Sequence, residues 1–182
     1  MTETMSARPD RLLEIYLTDH LAAATAGVAL VRRCARSNAT NGYGETLRRL
    51  AEEIVEDRRT LRGIVAELGF EESKAKNATA WLGEKVGRLK LNGQLRGYSP
   101  LSRLLELEAL SVGVAGKLAL WEALQSLPDV ARRLGAFDLN ELRERAQRQR
   151  ATVEEHRLRA AQEALGPVSS GTPRAHRTGS SS

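Results

Sequence analysis

The chain has 182 residues, 41% of them hydrophobic, 28% charged and 4% aromatic, with 28 basic against 23 acidic side chains and a net charge of +5. That length suits one domain with tails, and it can bury a core without covalent or metal staples. The lone Cys34 excludes a disulfide framework and fits a reducing compartment, while no run of about 18 apolar residues is present to span a membrane.

Met1 to Arg11 lacks the basic-then-apolar pattern of a secretory signal. A cytoplasmic, all-helical protein without membrane contact is therefore expected. Arginine supplies 23 of the 28 basic residues, and it alternates with glutamate, as in Glu141–Arg150. A nucleic-acid binder would gather its basic residues on one face, with aromatics to stack on single strands. The alternation instead makes the i,i+4 pairs of a solvated helix face.

In chain order, residues 1–8 read as a flexible N-terminus. The first helix runs from about Pro9, a residue suited to a first turn, to about Ser37. Asn38 to Gly44 is a loop by composition. A second helix follows from about Glu45 to Leu68 and stops at Gly69. Residues 69–98 form a long connection, in which Glu71 to Arg88 reads as a short helix carrying Trp81 and Leu89 to Gly97 as an extended loop.

Ser99-Pro100 opens the third long helix with an N-cap and a first-turn proline, and Pro128 ends it. After a short turn over Pro128 to Gly135, Asp138 and Glu141 form a capping box for the fourth. That helix runs to about Leu165. Residues 166–182, rich in Gly, Ser, Pro and Thr, read as a disordered tail. Two helical hairpins joined by a long connection make a four-helix bundle with a crossover over residues 9–165.

Spacing at 100° per residue assigns the faces. On the first helix Tyr16, His20, Gly27, Val31 and Cys34 point inward, while Glu14, Thr18 and Arg32 point out. The second buries Leu47, Leu50, Ile54, Asp57, Leu61, Ile64 and Leu68. The third is apolar nearly all round, with a centre line through Leu101, Leu104, Glu108, Ala115, Ala119 and Glu122. The fourth buries Leu142, Ala146, Gln149, Val153, His156 and Ala160. Every long helix thus carries an ionisable or strongly polar group inward: His20, Asp57, Glu108, and His156 with Gln149. Buried charges must pair, hold a metal or meet water.

Carboxylates and imidazoles on four facing helices resemble the ferritin-like superfamily. The local segments Leu13 to Leu21 and Glu52 to Arg58 are similar to those of the small bacterial stress proteins of that group. The resemblance implies a crossover bundle with an accessory or stress-related role, and a carboxylate-bridged site for iron, manganese or zinc. The Glu-x-x-His pattern of the standard di-iron centre is absent: Leu17 stands three residues before His20, and Val153 three before His156. The candidate metal ligands are His20, Asp57, Glu108 and His156, with Glu53 as a further carboxylate.

His20 and Asp57 stand at matching heights in the first hairpin, as do Glu108 and His156 in the second. If the connection returns the chain to the loop end, the two pairs lie about 10 Å apart; if it does not, all four groups coincide. Three readings follow: two His–carboxylate pairs that fix helix register, an altered mono- or dinuclear metal site, or a solvated small-molecule cavity. A helical protein-interaction module is a further alternative. The apolar third helix would be covered by the connection or by a second subunit in a homodimer. Gly27, Gly113 and Gly116 indicate close helix approach or room for a ligand. No Ser/His/Asp or Cys/His spacing marks a nucleophile, and Cys34 reads as an inert buried thiol.

Overall fold

The computed structural model describes residues 7–71 and 98–167, and these residues form an all-helical structure without strands. Four long helices, α1 (Ala7–Ser37), α2 (Gly44–Glu67), α3 (Pro100–Gln125) and α5 (Leu139–Leu165), are accompanied by the short α4 (Pro128–Arg133). The expected helix and loop between residues 72 and 97, and most of the expected tail, lie outside the described residues. Helix α1 begins two residues before Pro9. A proline there costs little, because the first-turn N–H groups have no intrahelical acceptor.

The local signals at the helix ends act as their chemistry requires. Gly69 adopts φ +78° after α2. Its N–H donates to the Ala66 carbonyl at 3.0 Å, and the Phe70 N–H donates to Val65 at 3.1 Å; this is a Schellman closure, whose left-handed residue favours glycine. The Ser99 hydroxyl accepts from the Ser102 N–H at 3.1 Å, and the Asp138 carboxylate accepts from the Glu141 N–H at 2.9 Å. Each satisfies an orphan donor of a helix first turn.

Side-chain bonds set the register between helices. Arg58 donates to Thr25 across the α1–α2 hairpin. Gln125 meets Asn140 and Arg103 meets Glu163, so α3 and α5 are antiparallel along their whole length. Helix α3 starts beside the α1–α2 loop: the Asn38 amide donates to Tyr98, and the Arg103 guanidinium lies 4.6 Å from the centre of the Tyr43 ring. Helix α2 finishes at the opposite end, where the Arg133 guanidinium donates to the Leu68 carbonyl at 3.3 Å. Helices α2 and α3 are therefore parallel.

The core falls into two apolar clusters. One, at the end holding α4, contains Leu17, Leu61, Ile64, Leu118, Trp121 and Leu142. The other, at the α1–α2 loop end, contains Val31, Leu47, Ile54, Leu107, Val114 and Val153. Between them along the axis lie Asp57, Lys117 and Gln149.

Five face assignments need correction. Glu108 is exposed, and the buried glutamate of α3 is Glu106. Leu101, Ala119 and Glu122 are also exposed; a helix that is apolar nearly all round gives spacing little direction to work with. Thr18 is buried because its hydroxyl donates to the Glu14 carbonyl at 2.8 Å, which hides its polarity within its own helix.

Candidate functional site

The most elaborate polar constellation lies between the two core clusters. Asp57 of α2 is 2% exposed, and α3 and α5 reach toward it. The Lys117 ammonium of α3 donates to Oδ2 of Asp57 and to the side-chain oxygen of Gln149. The Arg145 guanidinium of α5 donates to Oδ1 through Nε at 2.8 Å and pairs through a terminal nitrogen at 2.7 Å. Nε2 of Gln149 donates to Oδ2 of Asp57 at 3.1 Å and to Glu53 at 3.0 Å. Both carboxylate oxygens of Asp57 and both ends of the Gln149 amide are engaged. Burial pushes the Lys117 ammonium below the ordinary lysine range, the adjacent Asp57 charge opposes that shift, and Arg145 adds to it.

Sequence reasoning found Asp57, Glu53 and Gln149 and missed Lys117 and Arg145. The available signal was Lys117 itself, the single lysine of α3 in an apolar stretch. Lysine and arginine reach inward from the flank of a helix by laying their methylene stems along apolar neighbours, so facial spacing passes over them.

The other candidates go elsewhere. His20 packs edge-on against Tyr16, with ring centres 4.5 Å apart, and makes no hydrogen bond to Asp57; burial lowers its pKa and Asp19 partly restores it. Glu108 lies 4.0 Å from Arg157 at the surface. His156 has Nδ1 3.0 Å from the Thr152 carbonyl oxygen and its ring edge-on to Tyr43. The expected pairs His20–Asp57 and Glu108–His156 are thus replaced: Asp57 is taken by longer cationic side chains, and Glu108 points away. Among the described residues no three His, Cys, Asp or Glu side chains are grouped to hold a metal ion.

A second buried centre surrounds Glu106 at the α1–α2 loop end. Its Oε2 accepts from the Cys34 thiol at 3.1 Å and from the Tyr98 hydroxyl at 3.0 Å, and Oε1 pairs with Arg33 at 2.7 Å. Asn38 joins this group to Arg103, whose Nε donates to its side-chain oxygen at 2.7 Å. Burial first, and then the Glu106 charge, push the Cys34 thiol far above its ordinary range. The thiolate is the nucleophilic and metal-binding form, so this geometry suppresses both roles.

The expected close approach at Gly27, Gly113 and Gly116 is also absent. A methyl group built on any of the three would meet nothing within 4 Å. They border a cavity between α1, α2 and α3 that His20 and Asp57 also line.

Compared with known proteins, the chain matches no family model, no curated protein and no solved structure.

Proposed function

We propose that the chain is a ferritin-like four-helix bundle in which residues 69–98 form the crossover, and that it serves a non-catalytic, accessory or stress-related role. The antiparallel α1–α2 and α3–α5 pairs support the topology. So does the parallel run of α2 and α3, both of which start beside the α1–α2 loop. In this reading the domain covers residues 9–165 and the interior polar centre fixes helix register.

One observation carries the non-catalytic part: every acceptor of the buried Asp57 is already occupied by a cation or an amide of the chain itself. A metal would have to displace Lys117 or Arg145 to reach it. The decisive experiment is elemental analysis of the full chain purified without chelators, followed by titration with iron, manganese and zinc. No stoichiometric uptake is expected, and a triple variant with Asp57→Leu, Lys117→Leu and Arg145→Leu should remain folded. Stoichiometric metal in the wild type, lost in that variant, would establish a metal-binding protein with an altered site instead.

A further inference from the structure

The cavity beside the polar centre has a volume of about 230 Å³. For scale, an engineered apolar cavity of about 150 Å³ is enough to admit benzene. Its walls are almost entirely apolar, with the buried Ile54, Leu61, Leu110 and Leu120, the half-buried Gly27 and the exposed Gly113 among them. Val112, on the rim, is 75% exposed. Protein interiors ordinarily close such gaps. Here three glycines keep it open, each at a cost of about 1 kcal/mol in helix propensity relative to alanine.

The polar groups of the wall are unequally satisfied. Asp57, its one carboxylate, is saturated by Lys117, Arg145 and Gln149. Arg58 donates from Nε to Thr25 at 2.9 Å, and its terminal nitrogens enter no ion pair among the described residues. Among the described residues the imidazole of His20 makes a ring contact but no hydrogen bond. Trp121, wholly buried, closes the same wall with its indole ring. The wall therefore offers donors and a positive charge and asks for an acceptor.

We propose that this cavity is a binding site for a small amphipathic acid, with its hydrocarbon body beside Gly27 and Gly113 and its carboxylate on Arg58. The apolar walls select the body, and charge complementarity selects the acid over the corresponding alcohol. The inference rests on this cavity alone and is independent of the proposed bundle function.

The test uses the full chain carrying Trp81→Phe, so that Trp121 is its only tryptophan, with decanoate and decanol as probes. Calorimetry and Trp121 emission should show saturable one-to-one binding of decanoate. Gly113→Leu, which fills the open space, should weaken it about tenfold or more with no loss of thermal stability, and Gly27→Leu is the companion variant. Arg58→Gln should weaken decanoate about tenfold and leave decanol unaffected. Absence of uptake at about millimolar decanoate, or uptake undiminished by both leucine variants, would overturn the site. Equal affinity for acid and alcohol would overturn the assignment of an acid. If the wild type takes up neither probe, and Gly113→Leu dissociates a dimer or exposes residues 72–97 to trypsin, polypeptide occupies the cavity and the proposal fails.

Discussion

Lys117 and Asp57 form an ion pair from α3 to α2 at the level where the two apolar clusters of the core meet. Parallel helices packed by leucine, valine and alanine alone can slide by a turn with little change in buried area. A single buried carboxylate that must find one ammonium, one guanidinium and one amide removes that freedom. Such groups contribute to the uniqueness of a register more dependably than to net stability.

Removing one partner is therefore costly. Asp57→Ala leaves Lys117, 15% exposed, and Arg145, 19% exposed, without their shared counter-ion. A loss of about 3 kcal/mol in urea unfolding at pH 7 is expected. The deficit should shrink at higher pH. Burial already lowers the folded-state pKa of Lys117 while Asp57 opposes it, and removing Asp57 lowers it further. Between that lowered value and the unfolded value of about 10.4 the unfolded chain binds more protons, so stability rises with pH. A deficit that stays constant from pH 7 to 9 would contradict this account.

The three open glycines should be replaceable with profit. Alanine at Gly27, Gly113 or Gly116 meets no atom within 4 Å, so only the gain in helix propensity remains, about 0.5–1 kcal/mol each. Thermal unfolding of the single variants checks it; a fall in melting temperature would show that something already fills the space.

The sequence exposed the ends of the helices better than their faces. Gly69, Ser99-Pro100 and Asp138 act through their nearest neighbours, so their outcome is local. Asp57 was legible because α2 alternates charged and apolar stripes cleanly. Glu106 was not: leucine or alanine lies on almost every side of α3, and choosing between Glu106 and Glu108 depends on how the helix is rolled against α1 and α5. The partners of Asp57 were hidden for a related reason. Long cationic side chains reach several ångströms from their backbone, so their destination is a property of the packed assembly.

Cys34 should be chemically silent in the folded protein. Its thiol donates to Glu106, and burial together with that neighbouring charge disfavours the thiolate. Iodoacetamide at pH 8 should leave the native chain unmodified and alkylate it once guanidinium has unfolded it. Glu106→Gln removes the charge that opposes ionisation, but it also leaves Arg33 without its carboxylate. The variant should lose stability, and any labelling it shows should follow its unfolding rather than precede it.

His20 supplies an acid-side test. Burial lowers its folded-state pKa, with Asp19 opposing, whereas the unfolded imidazole titrates near about 6.5. Below that unfolded value the unfolded chain takes up a proton that the folded chain resists, so stability falls as the pH drops. Once the pH is below the lowered folded value, both states are protonated and the loss is complete. Carboxylates elsewhere also titrate on this side, so the quantity to compare is the difference between wild type and His20→Gln. Wild type should lose more stability than the variant between pH 7 and 5, as measured by urea midpoints at each pH. Parallel losses would mean that the imidazole is charged at no cost, and that its place against Tyr16 and the cavity wall is open to water.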